Sequence, residues 1–353
     1  MNLWNAFLPQ RPRRQLTKHS LVDIFRPHPD PPHQMPNTTA PVIPNLLIKL
    51  NAYRYRPSIK EWKHIHFDKA ENRKYPSQVR IITWNVNYDA LGVMERLNAA
   101  LRHLELDILG CRRGEAPEPC CILLQELNAN AYPHLLADTW VRKIFVVAPR
   151  SPDKWPARAT YGNVTLISRS VPITGCAIMH FASSIFQRTG VIVDIRLFDP
   201  TREDDSRSAT SVVRIINTHL ESLSPGLEAR RLQLDILSKL LFVGGERSGG
   251  VIAGDMNAIG PNEHEFPSEL GLRDAWNKGE GTKEGHTWGY QGPSQYPAGR
   301  LDKVLYLPLD EYEVDTPQRV GMGVIVKDLE SGNDMPQYVS DHYGLDTVLR
   351  MTG

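Results

Sequence analysis

What this chain lacks narrows it first. Of its 353 residues only four are cysteines, at 111, 120, 121 and 176. Cys120 and Cys121 are adjacent inside an apolar run, and no CxxC or Cys/His spacing occurs. A disulfide framework and structural zinc are therefore not expected, and buried reduced thiols of an intracellular protein are. No apolar run approaches the roughly 18 residues that cross a bilayer, and no secretory h-region is visible, so no membrane span is expected. Internal repeats are absent. The chain also lacks a strong surplus of either charge, at net +1, but the balance is uneven. Residues 1–80 hold 14 Lys/Arg against 5 Asp/Glu, and the remainder holds 27 against 35. A basic arm on an acidic body either contacts phosphates and anionic surfaces or is simply a solvated tail. The body lacks the excess charge of a strong duplex binder, so any phosphate contacts fall to a local patch or to the arm.

What is present begins with that arm. Arg11, Arg13, Arg14 and Lys18 precede the first acid, Asp23, a composition compatible with a mitochondrial presequence or a weak nuclear signal. Nucleus, cytoplasm and mitochondrion are thus the candidate compartments. Seven prolines fall in residues 27–44, and 1–44 reads as a basic, Pro-rich, disordered arm. Residues 45–78 form a lead-in that is basic and aromatic (Tyr53, Tyr55, Trp62, Phe67, Tyr75) without clean periodicity.

From 79 to 353 the signals become regular. Apolar or alternating runs predict strands at 79–86, 121–125, 143–147, 161–168, 173–180, 190–198, 212–218, 251–254, 287–290, 301–307 and 343–349. Residues 89–106 predict a helix with Leu91, Met94, Leu97, Leu101 and Leu104 on one face, 130–139 a short helix, and 228–242 a helix facing inward through Leu232, Ile236 and Leu240. Asp199–Ser208 is a charged surface turn. The sum is one α/β domain rich in antiparallel strands.

Chemistry collects where these strands end, the positions from which a rigid sheet aims polar groups into a cleft. Four runs terminate in Thr83-Trp84-Asn85, Leu124-Gln125-Glu126, Gly254-Asp255-Met256-Asn257 and Ser340-Asp341-His342. Each is ordinary alone: Asn and Asp at such places usually form turns. Together they describe a hydrolytic metal site. Mg²⁺ takes few carboxylates and keeps several waters, which suits Glu126 as ligand with Asn85 and Asp341 completing or supporting the shell. An extended backbone puts Asp255 and Asn257 on one side, an acceptor and an amide able to orient a water. His342 offers a charged donor to a phosphoryl oxygen. Asp302, interrupting a strand-like run, is the acid that would orient it, or else pairs with Arg300 or Lys303. His219 ends another strand and is structural or a second phosphate-facing donor; Tyr161 and Asn163 reach toward the same cleft.

The order of these motifs, with Thr218-His219-Leu220-Glu221-Ser222 and Arg300-Leu301-Asp302-Lys303 between them, resembles the endonuclease/exonuclease/phosphatase superfamily of Mg²⁺-dependent phosphodiesterases over about residues 78–352. Within it, Ser340-Asp341-His342-Tyr343-Gly344-Leu345, Asp274-Ala275-Trp276 and His286-Thr287-Trp288 look most like the tyrosyl-DNA phosphodiesterase 2 branch. The resemblance implies a four-layer α/β (α+β) sandwich, two mostly antiparallel sheets flanked by helices. It implies Mg²⁺, or Mn²⁺, served by Asn85, Glu126 and Asp341, with water positioned by Asp255 and Asn257. His342, steered by Asp302, and His219 would stabilise the phosphoryl oxygens, and Trp288 would stack on a terminal base unless it is an ordinary core residue. The implied substrate is a 5′-phosphotyrosyl or similar adduct at a DNA 5′ end, and the implied state a monomer. Alternatives with the same fold are a nuclease or deadenylase and a phosphatase of small or lipid-headgroup esters; a nucleic-acid-binding pseudoenzyme is the non-catalytic one. Departures exist: Ala258-Ile259 follows Asn257 where the branch typically has Leu-Arg, no ubiquitin-binding N-terminal domain is evident, and the 199–208 turn is long.

Overall fold

The computed structural model describes residues 45–67, 75–112, 114–200, 209–242, 247–279, 282–292, 294, 296–326 and 336–352. The arm at 1–44 and most of the charged turn, 201–208, lie outside these residues.

Strands assemble into two sheets. The first runs, in spatial order, β1 (Leu46–Lys49), β8 (Ile173–His180), β9 (Thr189–Phe198), β10 (Thr210–His219), β11 (Arg247–Asp255), β13 (Asp302–Tyr306) and β12 (Arg273–Asp274). The second runs β14 (Tyr312–Val314), β16 (Gly344–Met351), β4 (Gln78–Asn85), β5 (Cys120–Asn128), β7 (Tyr161–Ser168), β6 (Phe145–Ala148), β2 (Tyr53–Arg56) and β3 (Glu61–His64), with β15 (Gln318–Val320) also on β16. Each sheet has one parallel pair, β10–β11 and β4–β5, and is otherwise antiparallel.

Period-two alternation decides the layering. In the first sheet Val193, Ile195, Val213, Ile215, Val251 and Val304 join the main core with the second sheet's Ile81, Ile122 and Leu166. Their neighbours Ile192, Ile216, Ile252 and Leu305 face the other way, onto Leu234, Leu237 and Leu241 of helix α4 (Leu227–Leu241). The main core also takes in α1 (Val93–His103), α2 (Tyr132–Ala137) and α3 (Thr139–Ile144) through Leu97, Leu101, Leu135 and Val141. The layers are helices, sheet, sheet, helix.

Several expectations shift. Helix α1 begins only after Gly92, a left-handed cap at φ 74°, so Leu91 is 68% exposed rather than on the packed face. The helix expected over 130–139 is α2 alone; Asp138 accepts from Val141 N at 2.9 Å and caps α3, which takes the first two residues of the strand expected over 143–147. On α4 the inward stripe is Leu234, Leu237 and Leu241, and Leu232 is exposed. The stripe was disguised because Arg230 and Gln233 are buried beside it, paired to Glu263 and Glu221. Residues 287–290 are no strand: Trp288 alone makes isolated bridges, to Gly299 and His342. The lead-in contributes edge strands to both sheets, β1 against β8 and the β2–β3 hairpin against β6.

Candidate active site

The parallel pairs bring the ends of β4, β10 and β11 together. Glu126, by contrast, sits at a bulge inside β5 and residues 340–342 in the loop before β16, not at the strand ends expected. Asn85 lies opposite Gln125 in the β4–β5 register, His219 opposite Asp255 in β10–β11, and Asp255 opposite Asp302 in β11–β13. Gly254 makes the close strand approach possible: its φ is +146°, and a Cβ there would sit 1.8 Å from Thr218 O.

Asp255, 1% exposed, is the centre. Its Oδ2 accepts from Asn85 Nδ2 at 3.0 Å and lies 3.3 Å from His219 Nε2 and 3.7 Å from His342 Nε2. Its Oδ1 accepts from Asn257 N at 2.9 Å, an Asx turn that leaves Asn257 at φ +48° with its amide donating to Leu220 O at 3.0 Å. Asn85 likewise closes a turn, accepting from Asn87 N at 3.0 Å. The ordinary turn chemistry of these residues is therefore present, and it is what aims them.

The two histidines are held in opposite states. His342 Nδ1 donates to the fully buried Asp302 Oδ2 at 2.8 Å. Burial opposes charge on the ring, but Asp302 and Asp255 outweigh it and hold the imidazole well above its ordinary pKa. Burial pushes Asp302 up to about 6 against the pull of His342. His219 is driven well below its ordinary value by burial, Arg188 and His342. Arg188 Nη1 donates to His219 Nδ1 at 3.0 Å, so the neutral ring must carry its proton on Nε2, facing Asp255. One imidazolium and one neutral imidazole thus share a single carboxylate.

Glu126 sits at the bulge between Leu124 and Leu127 of β5, at φ +56°, with Oε2 accepting from Tyr88 N at 3.1 Å and Oε1 3.8 Å from His219 Nδ1. Burial raises its pKa to about 7; Arg188 counters this and Asp341 adds to it. Asp341 accepts from Trp288 Nε1 at 3.0 Å, which places half-buried Trp288 at the rim. Tyr161 stacks on Tyr88 at 3.7 Å and accepts from Arg188 at 3.1 Å. Asn163 is 2% exposed and its amide donates to Thr189 O at 2.8 Å, next to Arg188. Ligating atoms of Asp255, Asp302 and His342 lie within 4.8 Å of one another and could hold a metal ion. That arrangement asks an imidazole already engaged by Asp302 to lose its proton.

A model of the endonuclease/exonuclease/phosphatase family matches residues 82–342. The chain belongs to this family. As a member it is a phosphodiester hydrolase of a fold whose enzymes use divalent metals. The structure is similar to zebrafish TDP2 complexed with a single-stranded DNA product (19% identity, 78% of this chain and 100% of that one, TM-score 0.57). It is also similar to TDP2 from C. elegans (17% identity, 79% of this chain and 77% of that one, TM-score 0.55). At these identities the likeness shows the fold. No curated protein sequence matches. No helix among the described residues is long and apolar enough to cross a membrane.

Sequence reasoning missed Arg188 and Tyr88. Arg188 lies in the loop before β9, where Glu221, 1% exposed, accepts from Ser184 Oγ at 2.7 Å and from Ile185 N and Phe186 N at 3.0 Å each, and Ser184 Oγ accepts from Arg188 N at 2.7 Å. A lone arginine in a loop has no period to betray it. Asn217 was also missed. It donates to Leu124 O and Val164 O and accepts from Gln125 Nε2 at 2.8 Å, bridging the two sheets directly beneath the site.

Proposed function

We propose that this family member is a Mg²⁺-dependent phosphodiesterase that hydrolyses a 5′-phosphotyrosyl–DNA linkage or a similar adduct at a DNA 5′ end, releasing the adduct and leaving the phosphate. The observation that carries the reading is Asp255, a buried carboxylate addressed at once by Asn85, neutral His219 and charged His342. Such a carboxylate orients water and accepts its proton as oxygen attacks phosphorus, with Asn257 beside it fixing the line of approach. His342, its charge sustained by Asp302, donates to a phosphoryl oxygen as negative charge grows there, and His219 Nε2–H adds a neutral donor. Trp288 at the rim suits a stacked terminal base, and Tyr161, held by Arg188, suits contact with the substrate. The DNA product in the zebrafish relative supports nucleic acid as substrate class.

Glu126, Asn85 and Asp341 fit a hard divalent ion. Burial and Asp341 raise the Glu126 carboxyl to about 7 against the pull of Arg188 and His342, so a bound cation would favour its charged form, and Asn85 Oδ1 keeps a second lone pair beyond its one hydrogen bond. Bound there, Mg²⁺ would polarise the phosphoryl group. Mn²⁺ meets the same oxygen set.

The test is to incubate purified protein and Mg²⁺ with a 5′-tyrosyl oligonucleotide, a plain 3′-recessed duplex and an inositol polyphosphate. Release of tyrosine alone is expected. Degradation of the plain duplex, or turnover of the inositol phosphate alone, would replace this substrate with a nuclease or small-ester one. No turnover anywhere, with Glu126→Ala indistinguishable from the parent, would leave a binding protein.

A further inference from the structure

The basic, aromatic lead-in has no part in the catalytic geometry, yet it builds a second charged feature. Along β2 the chain alternates Tyr53-Arg54-Tyr55-Arg56, and three arginines from elsewhere converge on these four residues. Arg142 lies over the Tyr55 ring at 4.6 Å and Arg150 over Tyr53 at 5.4 Å. Arg169 donates through Nη2 to Tyr55 O at 3.1 Å and to Arg142 O. Burial depresses the pKa of Arg169, and the positive charges of Arg54 and Arg56 depress it further.

The convergence of these arginines on one strand is what points to a ligand. Arg80, Arg102, Arg214, Arg230, Arg300 and Arg350 each pair with a carboxylate. Among the described residues Arg56, Arg142, Arg150 and Arg169 pair with none, and Arg169 Nε is buried without a hydrogen-bond partner. Glu61, opposite Arg56 in the hairpin, is taken by Lys63 at 2.5 Å. Glu61 also feels Arg150, but the mutual repulsion of Arg54, Arg56 and Arg169 remains, and a bound polyanion would relieve it. Charge beside a sheet edge also discourages edge-to-edge pairing, but that role needs neither Arg56, Arg142, Arg150 and Arg169 together nor their anchoring. Arg142 is fixed by donation from Nε to Leu136 O at 2.8 Å and by Tyr55 beneath it, with its terminal amines left over. Guanidiniums held this way lose little freedom on meeting phosphates, which they grip in pairs. One face of each tyrosine already carries an arginine, so the patch presents guanidiniums, whose match is a phosphate backbone.

We propose that the edge formed by the β2–β3 hairpin with Arg142, Arg150 and Arg169 is a phosphate-backbone contact surface for nucleic acid, separate from the catalytic strand ends. Four strand residues span roughly 10–13 Å, which corresponds to three or four steps of a duplex strand at about 3.4 Å each. The proposal rests on the nucleic-acid part of the proposed function but not on the tyrosyl linkage.

The experiment measures binding of a fluorescent 30-base-pair duplex across a salt series, for the parent and for Arg56→Gln/Arg150→Gln, both exposed positions. The slope of log K against log salt is expected to become shallower by about 0.9 per lost phosphate contact, close to 2 for the pair, with at least tenfold weaker binding at low salt. Cleavage of a 5′-phosphotyrosyl dinucleotide, too short to reach the edge, is expected to stay unchanged. Adding Arg142→Gln should steepen the loss; if that triple variant fails to fold, the double variant decides. An unchanged slope, a parent that does not bind the duplex, or selective loss of binding to phosphatidylserine vesicles would overturn the inference. A shallower slope in a protein that leaves the tyrosyl linkage intact would keep this surface and remove the proposed substrate.

Discussion

Replacing Asp255 with Asn removes one charge and keeps the shape. Asn85 Nδ2, His219 Nε2–H and charged His342 would then face an amide that cannot take a proton. Turnover is expected to fall by about 10²–10⁴, the usual contribution of a positioned base, with an unchanged circular dichroism spectrum; a loss of only a few fold would remove Asp255 from its assigned role. Glu126 makes a pH-dependent prediction. Its folded pKa is raised from 4.5 to about 7, so the native state holds a proton that the unfolded chain has released. Metal-free protein should therefore lose stability as pH rises from about 4.5 to about 7, by on the order of 3 kcal/mol, and be flat above that. Glu126→Gln should raise the melting temperature at pH 8 without metal and abolish the stabilisation that Mg²⁺ gives the parent. A variant less stable than the parent at pH 8 would contradict the burial argument. These residues were legible because each acid, amide or imidazole directly follows an apolar run. Arg188 and Tyr88 were not, because loops carry no period and their partners are far away in the chain.

Elements were legible where one face is apolar and the other polar, and misread where burial is polar. The strands at 161–168 and 173–180 came out at the expected residues because tertiary packing agrees with local pattern there. Helix α4 did not show its true face, since Arg230 and Gln233 occupy buried positions that only Glu263 and Glu221 make tolerable. The β2–β3 hairpin was invisible because its strands are four residues each and half-buried or exposed, so the Tyr53–Arg56 alternation is too short to stand out in a basic, aromatic stretch. The corrected face of α4 is testable by chemical denaturation. Leu237→Ala, at a fully buried position, should cost about 2–5 kcal/mol, whereas Leu232→Ala, 45% exposed, should stay within about 0.5 kcal/mol of the parent. Equal effects would restore the original stripe.

For the molecule as a whole, the lead-in is structural closure as well as a charged surface. Strand β1 covers the edge of β8, and the hairpin covers the edge of β6, so residues 46–64 finish both sheets. Open edges present unpaired backbone groups that invite pairing with other chains, and long-range β pairing already makes such a fold slow to complete. A chain beginning at residue 75 would retain every strand end of the catalytic cleft, yet expose β8 and β6 at once. It is expected to elute from size-exclusion chromatography as aggregates or to accumulate insolubly, while a chain beginning at residue 43 elutes as a single discrete species. If the shorter chain were soluble and equally resistant to denaturant, the edge strands would be mere attachments and residues 75–353 the true folding unit. The expected result makes the lead-in inseparable from the catalytic body, because the strand that carries Arg54 and Arg56 is also the one that seals the sheet containing Asn85 and Glu126.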